Sequence, residues 1–255
     1  MHSRDESVLK RRESFFFING TDASDDELSF SPFESHHMVK SLRVKRGEVV
    51  TASDGNGTLY GVEITSTGGP VTGKLLWKKR VEPDRRQIFL GVGLSRTESL
   101  SWLVEKATEL GVRGITPLVT KRSQKAGTGE MQGRLLARFH RVAVSAMKQS
   151  KRAYMPAISR PIPLPDFLRQ VTGRDSLLIL LDEIPPKPTL TAVLRGKAAG
   201  SVIILTGPEA GFDEEEKTLA LGQGFLAASL GTARLRVETA ALAAVIAVRA
   251  LSDCW

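Results

Sequence analysis

One apolar run followed by a glycine-containing turn constrains the fold of this chain more than any other feature. Residues Ser201–Leu205 are apolar after the first serine, which is typical of a strand buried on both faces of a parallel sheet. Gly207 and Pro208 then form a turn, and Asp213 with Glu216 three residues later has the spacing of a helix-capping box. Because open α/β sheets bind ligands where their strands end, we predict a ligand site at this turn.

The residues of this turn argue against a phosphate-binding loop. The turn lacks the lysine and the serine or threonine of a P-loop. Four carboxylates occupy residues 213–216, where a helix N-terminus would otherwise attract a phosphate. A loop of this kind suits a neutral or cationic ligand better than an anion. S-adenosylmethionine, which has a sulfonium and no phosphate, is such a ligand.

Strands and helices alternate from Gln87 onward, and this alternation predicts a parallel α/β domain. The predicted strands are 87–94, 115–119, 176–181, 201–205 and 225–229. The predicted helices are 99–110, 131–150, one from Asp213 and one at the end of the chain. Residues 14–77 instead contain short runs rich in β-branched and aromatic residues, with a helical piece over 35–42 and a hairpin turn over 54–57. The polar segment 78–86 predicts a linker, so we expect an all-β domain over 1–80 and an α/β domain over 81–255.

The net charge of +8 is concentrated in one segment, residues 121–152. That segment holds nine Lys or Arg and one acid, Glu130, so its own net charge is +8 and the net charge of the rest of the chain is zero. A solvated helix face is the ordinary interpretation of a charge run. A segment that carries the whole net charge favours contact with nucleic acid instead.

Other compositional features exclude several classes of protein. The longest unbroken apolar run, Ala240–Val248, is far too short to cross a bilayer, and the polar N-terminus shows no secretory signal. The single cysteine, Cys254, excludes an internal disulfide and argues against most zinc sites and a cysteine nucleophile. We therefore expect a cytoplasmic protein without a metal. The run Ala240–Val248 is also apolar on every side, so we predict that the helix Glu238–Ser252 is buried in its own core or against a partner.

A second stretch, Leu230–Ala240, follows the predicted strand 225–229 and leads into the last helix. Together with the turn at Gly207 it resembles the cofactor loops of the SPOUT methyltransferases, and most closely the RsmE family, whose patterns run roughly GPEGGF and LGxRILRTETA. The first pattern is matched at Gly207, Pro208, Glu209, Gly211 and Phe212. The second is matched at Leu230, Gly231, Leu235, Arg236, Glu238, Thr239 and Ala240. The chain departs from the family at Ala210, Ala233 and Val237.

The resemblance implies a fold, a cofactor and a reaction. The RsmE family has a PUA-like RNA-binding β-barrel followed by a SPOUT α/β domain with a C-terminal trefoil knot, and SPOUT enzymes are typically homodimers. It uses S-adenosylmethionine to methylate N3 of a uridine in small-subunit (16S) ribosomal RNA. The cofactor-binding residues implied here are Leu181, Leu205, Thr206, Gly207, Glu209, Gly211, Leu230, Gly231 and Leu235.

Two residues just beyond the second cofactor stretch are candidates for catalysis. Uracil N3 is a weak nucleophile until its proton leaves, so a base, or a cation that stabilises the uracil anion, would help. We predict that Arg236 stabilises negative charge on a uracil carbonyl oxygen. Glu238 then accepts the N3 proton or orients Arg236. A carboxylate at a helix N-terminus also has the simpler role of a cap.

Three further segments, 37–48, 105–123 and 146–152, resemble family motifs. With a basic family position after the strand 87–94, they imply RNA contacts at Arg43, Lys45, Arg96, Arg122, Ser123, Gln149 and Arg152. Lys148 stands where the family has a glutamate, which either adds phosphate affinity or removes a salt bridge. Two other functions stay open: a SPOUT enzyme acting on another base or on ribose 2′-OH, and a non-catalytic RNA-binding protein.

Overall fold

The structure of the protein, a computed structural model, describes residues 14–19, 26–173, 175–182, 188–197 and 199–251. It divides into two compact units. The first is Met1–Glu82 with Lys148–Tyr154, and the second is Pro83–Met147 with Met155–Trp255. The short segment 148–154 thus belongs to the first unit, although it lies within the sequence range predicted for the α/β domain.

A mixed five-stranded sheet forms the first unit among the described residues. Its strands are β1 (Phe15–Phe17), β2 (Glu27–Ser29), β3 (Val49–Ser53), β4 (Thr58–Ser66) and β5 (Thr72–Arg80). The order is β1-β3-β4-β5-β2, with β1 parallel to β3 and every other pair antiparallel. Register shifts between β4 and β5, at Gly61/Val62 and Ile64/Ser66, bend the sheet around its core. The prediction of an N-terminal all-β, PUA-like unit is confirmed.

One short helix precedes β3. Helix α1 (Pro32–His36) begins with a proline, and Ser31 caps it by accepting a hydrogen bond from the backbone of Glu34 at 3.2 Å. It continues into one π-helical turn, His37–Ser41. The helix predicted over 35–42 is therefore right in type and starts three residues too late.

The hairpin turn predicted over 54–57 is confirmed. Strands β3 and β4 pair around it, and Asp54 Oδ1 accepts hydrogen bonds from the backbone of Asn56 (2.8 Å) and Thr58 (3.0 Å). Strand β5 continues to Arg80, so the linker predicted from Lys78 is shorter and begins after Arg80.

Segment 148–154 completes the first unit. The carbonyl of Ala153 accepts hydrogen bonds from Ser53 Oγ (3.1 Å) and from the backbone of Gly57 (2.9 Å). Gly57 has a φ of 101°, and a Cβ there would lie 2.3 Å from the ring of Tyr154. Glycine is needed at this position because the backbone is left-handed and the ring covers it.

The second unit is built on a parallel sheet. Its strands are β6 (Gln87–Gly93), β7 (Gly114–Val119), β8 (Ala157–Ile158), β9 (Ile162–Pro163), β10 (Ser176–Leu181), β11 (Ser201–Thr206) and β12 (Leu226–Ala228). Its helices are α2 (Thr97–Glu109), α3 (Gly129–Gln149, which ends in the first unit), α4 (Leu164–Val171), α5 (Leu190–Leu194), α6 (Glu214–Gly222) and α7 (Val237–Ala250). The order is β12-β10-β11-β6-β7-β8, with β9 also pairing to β7, and every pair is parallel.

The buried parallel strand predicted at Ser201–Leu205 is confirmed. Strand β11 lies between β10 and β6, and its residues Val202–Leu205 are at most 2% exposed. The parallel α/β domain expected from the alternation is therefore the observed architecture. No helix of the described residues is long and apolar enough to cross a membrane.

Helix α7 is only partly as predicted. Val245 and Val248 are fully buried within the unit, but Ile246 is 45% exposed. Burial in its own core alone is therefore not observed, and burial against a partner stays a prediction; apart from Ile246, the side facing solvent consists mostly of alanines with little side chain to bury. The C-terminal end is fixed by the buried Arg249, which pairs with Asp84 and donates to the carbonyl of Gly111 at 3.0 Å.

Candidate functional site

A cavity of about 740 Å³ opens in the second unit where β10, β11 and β12 end. Leu181 and Asp182 come from the end of β10, residues 206–212 from the loop after β11, and residues 228–238 largely from the segment after β12. Neighbouring parallel strands bring their carboxyl ends to the same sheet edge, so three segments distant in sequence form one wall.

Eight of the nine predicted cofactor residues line this cavity. They are Leu181, Thr206, Gly207, Glu209, Gly211, Leu230, Gly231 and Leu235. Leu205 does not line it, because its side chain is fully buried in the core. Side chains alternate along a strand, so Leu205 and its neighbour Thr206 face opposite ways and only Thr206 meets the cavity.

The loop after β11 is held by close backbone packing and by a helix cap. A Cβ on Gly207 would lie 2.9 Å from the backbone nitrogen of Phe212, so the turn needs glycine there. Asp213 Oδ1 accepts hydrogen bonds from the backbone of Glu215 and Glu216, each at 3.0 Å, and Glu216 Oε2 accepts one from the backbone of Asp213 at 3.0 Å. The predicted capping box is confirmed, and the hydrogen bond from the Glu216 backbone lowers the pKa of Asp213.

The acidic cluster 213–216 does not face the ligand site as a whole. Lys121 pairs with Asp213 at 3.1 Å and with Glu215, and hydrogen bonds to Glu215 and then Asp213 raise the lysine pKa. The backbone of Lys121 donates to Glu216 at 2.8 Å. Glu214 is the cluster's one carboxylate that lines the cavity. Three of the four carboxylates that we expected to face the ligand therefore bind Lys121 instead. They connect the loop that follows β7 to the start of α6.

A buried pair of opposite charges, Lys217 and Asp182, which was not expected from the sequence, lies on the cavity wall. Lys217 lies 3.4 Å from Asp182 and 3.0 Å from Glu214, and the side chains of Lys217 and Asp182 are 12% and 7% exposed. Burial lowers the pKa of Lys217, but the hydrogen bond to Glu214 and the charge of Asp182 outweigh it and raise the pKa overall. Asp182 therefore places a buried carboxylate, paired with Lys217, on the cavity wall.

Cations lie along the rest of the cavity wall. Arg96 lies 3.9 Å from Glu209, and Arg122 donates to the carbonyl of Ala210 at 3.4 Å. Both were predicted to contact RNA. Arg122 also braces the loop after β11 against the loop after β7.

The two predicted catalytic residues share this cavity. Arg236 is the N-cap residue of α7, and its carbonyl accepts the backbone hydrogen of Ala240 at 2.8 Å. Glu238 lies in the first turn of the same helix. Ala233, which stands where the resemblance implies an arginine, also lines the cavity.

The cavity fits S-adenosylmethionine on two observations. Thr206 is 5% exposed, and within the described ranges its Oγ1 has no hydrogen-bond partner, so the wall presents an unused polar atom. Gly231 has a φ of 122° and no heavy atom within 4 Å of the place where a Cβ would stand, so a ligand can approach its backbone.

The other predicted RNA residues lie outside the cavity. Ser123 completes a local turn, where its Oγ accepts from the backbone of Thr120 at 3.0 Å. Four more lie in the first unit. They are Arg43, which is exposed with a φ of 54°, and Lys45, Gln149 and Arg152.

Lys148 has a role that neither sequence alternative anticipated. Its Nζ lies 3.0 and 2.9 Å from the two carboxylate oxygens of Glu34, and the side chains are 16% and 4% exposed. Glu34 also accepts the backbone hydrogen of Phe17 at 3.1 Å. Lys148 is therefore half of a buried ion pair within the first unit, and its charge is not available to phosphate.

Two models of protein families match the chain. An RNA methyltransferase domain matches residues 82–249, and an RNA methyltransferase PUA domain matches residues 34–76. Relatives named ribosomal RNA small subunit methyltransferase E include a protein of Mesomycoplasma hyopneumoniae, 28% identical over 241 residues that cover 92% of this chain and 94% of the relative. Another, of Synechocystis, is 26% identical over 219 residues, 86% of this chain and 71% of the relative.

Solved structures show the same similarity. The ribosomal RNA small subunit methyltransferase E of Neisseria gonorrhoeae, bound to S-adenosyl methionine, matches with a TM-score of 0.83 and 25% identity over 93% of this chain and 97% of that one. A putative methyltransferase of Legionella pneumophila in complex with the same cofactor has a TM-score of 0.80 and 27% identity over 94% and 98%. With a domain model matching more than half of its length, the chain belongs to the RNA methyltransferase family.

Proposed function

We propose that this protein uses S-adenosylmethionine to methylate N3 of a uridine in small-subunit (16S) ribosomal RNA. The observation that carries the proposal is the cavity that brings three strand-end segments together with Arg236 and Glu238. Support comes from the relatives named ribosomal RNA small subunit methyltransferase E and from the cofactor in the similar solved structures.

The cofactor would be held by the backbone of the loops at Gly207 and Gly231, by Thr206 Oγ1, and beside the carboxylate of Asp182. When bound, it supplies an electrophilic methyl group for transfer to a nucleophile. The loops fix the position of that group before RNA arrives, which removes part of the entropic barrier to reaction.

Arg236 and Glu238 would act on the uracil. The guanidinium of Arg236 donates hydrogen bonds to a uracil carbonyl oxygen and stabilises the charge that grows there as N3 loses its proton. The carboxylate of Glu238 accepts that proton, which frees the N3 electron pair to form the new bond. In a simpler alternative, Glu238 accepts no proton: it caps α7 and orients Arg236.

The target base must be presented without its partner. N3 lies on the Watson–Crick edge, so the uridine has to be unpaired or flipped out of a helix before it can enter the cavity. Arg96 and Arg122, on the wall of the cavity, are placed to hold the adjoining phosphates. We assign residues 1–80 to a PUA-like RNA-binding domain and 81–255 to a SPOUT domain that acts in the cytoplasm, where it meets ribosomal RNA.

The trefoil knot that the resemblance implies belongs to the same proposal.

Replacing Gly231 by valine is expected to weaken S-adenosylmethionine binding at least tenfold, measured by calorimetry. A branched side chain would fill the space beside the cavity, and a φ of 122° strains any L-residue. Gly224→Val is the matched control, since Gly224 has a φ of 89° and lies outside the cavity lining. Equal affinities in the two folded variants would remove Gly231 from the site.

We also propose a homodimer that uses the exposed side of α7. Ile246 is 45% exposed, and Ala243, Ala247 and Ala250 lie on the same side of the helix without a charge among them. If a second copy of the chain covers this apolar stripe, the dimer gains roughly 25 cal/mol of free energy for each Å² of apolar surface that is buried.

Ile246→Glu is expected to give a folded monomer in sedimentation, and to lower methyl transfer because α7 starts directly after Arg236. Leu221→Glu, at a residue on α6 that is 42% exposed, should leave the dimer intact. A parent protein that is monomeric at micromolar concentration and fully active would contradict the dimer.

Transfer of a labelled methyl group from S-adenosylmethionine to small-subunit RNA tests the proposal. Digestion of the product to nucleosides separates base methylation from ribose methylation. Tight RNA binding without transfer would instead favour the non-catalytic alternative.

A further inference from the structure

The outer face of the first unit's sheet carries an exposed tryptophan. Trp77 lies on β5, is 44% exposed, and stands opposite Gly61 of β4. The neighbours of Gly61 along β4, Tyr60 and Val62, point into the core and are at most 4% exposed. Because side chains alternate along a strand, Gly61 and Trp77 are on the opposite, solvent-facing side.

The indole of Trp77 lies directly against the backbone of Gly61. A Cβ on Gly61 would be 2.1 Å from the indole Nε1 and 2.2 Å from Cε2, so only glycine leaves room for the ring. One face of the ring therefore rests on the sheet, and the exposed fraction belongs to the outer part. A large aromatic ring fixed in this way loses little conformational entropy when another flat group stacks on it.

Strand β5 is rich in cations, and some of them share the solvent-facing side with the ring. Glu63, two residues from Gly61 on β4, stands opposite Lys74 on that side. Strand β5 carries Lys74, Lys78, Lys79 and Arg80, all exposed, and no acid. Lys79 stands opposite Leu59, two residues from Gly61 on β4, so it shares the solvent-facing side with Trp77. Lys78 and Arg80 alternate with Trp77 and Lys79 and face the other side, where they lie over the rings of Tyr60 and Tyr154 at 5.7 and 5.9 Å.

We propose that Trp77 is a stacking platform for an unpaired base of the RNA substrate, with Lys79 binding an adjoining phosphate. Single-stranded RNA is recognised by aromatic rings that stack on bases, beside cations that track the backbone, and this face offers both. The identity of the ligand as RNA rests on the proposed function. The platform adds a contact that lies in the first unit, outside the methyl-transfer cavity.

Fluorescence of Trp77 gives a direct readout. The chain has two other tryptophans, Trp102 and Trp255, so the variant Trp102→Phe/Trp255→Phe reports on Trp77 alone. Titration with single-stranded oligouridine should quench this emission as a base stacks on the ring. Unchanged emission at oligouridine concentrations that saturate binding would overturn the platform.

Affinity measurements separate stacking from charge. Trp77→Ala should raise the Kd for oligouridine by about 5- to 100-fold without changing its salt dependence, and Trp77→Phe should recover most of the loss. Lys79→Ala should reduce the slope of log K against log salt by about 0.7. Trp102→Ala is the matched control, since Trp102 is 46% exposed but lies on α2 in the second unit, and it should bind like the parent.

Methyl transfer distinguishes this proposal from the function on which it rests. With Trp77→Ala, KM for RNA should rise while kcat at saturating RNA stays at the parent value. If Trp77→Ala lowers only the thermal stability, the ring merely covers Gly61 and the platform is wrong while the function stands. If the parent transfers no methyl group but its Trp77 emission is still quenched by RNA, the function fails and the platform survives.

Discussion

Replacing Arg236 by alanine is expected to reduce kcat for methyl transfer to RNA about 10²- to 10³-fold, the usual cost of losing one donor to a developing negative charge. Arg236 lines the cavity at the start of α7, where its backbone already caps the helix without help from its side chain. The loss should therefore fall on the chemical step. S-adenosylmethionine affinity by calorimetry and the thermal unfolding midpoint should stay close to those of the parent.

Two comparisons make this result specific. Arg236→Lys keeps the charge but not the planar pair of donors, so it should recover only part of the rate. Arg234→Ala removes a cation from the same stretch of the cavity wall and should mainly raise KM for RNA. A kcat within twofold of the parent for Arg236→Ala would exclude Arg236 from the reaction.

Lys148→Glu, which introduces the residue that the resemblance implies at this position, is expected to destabilise this protein by about 3–5 kcal/mol. The change would bury a second carboxylate beside Glu34, which is 3% exposed and now lies within 3.0 Å of the ammonium. Neither carboxylate could then keep its charge without a partner. The free energy of unfolding in urea, followed by circular dichroism, measures the loss.

Arg141→Glu is the control for Lys148→Glu. Arg141 is an exposed cation on α3, and its reversal should change stability by no more than about 0.5 kcal/mol. The double variant Glu34→Lys/Lys148→Glu restores opposite charges and should recover part of the stability. Equal unfolding curves for Lys148→Glu and the parent would mean that the pair contributes nothing.

The strands at the centre of the second unit could be predicted because local sequence determines them. Strands β10 and β11 are built on apolar runs, residues 177–181 and 202–205, and the capping box is formed by residues within one four-residue segment, 213–216. Strand β2 and helix α5 were missed because they have three and five residues, too few for a period to show. Helix α4 was not predicted because a proline occupies its first turn. Proline usually interrupts a helix, but in the first turn a helix tolerates it.

What the sequence could not provide are pairs formed across the chain. Lys217 pairs with Asp182 only because the fold brings α6 close to the end of β10. Lys148 and Glu34, which also pair, are more than a hundred residues apart in the sequence. The segment that follows Lys148 joins the first unit for the same reason, through Ala153 and Tyr154. Asp182 could have been noticed from its place directly after a buried strand, the same signal that identified Gly207.

Mass spectrometry of small-subunit ribosomal RNA nucleosides, from cells with and without this protein, tests the central claim most directly. The proposed function predicts 3-methyluridine in RNA from cells that contain the protein, its loss when the gene is deleted, and its return with the parent but not with Arg236→Ala. Unchanged 3-methyluridine after deletion, or loss of a ribose-methylated nucleoside instead, would contradict it.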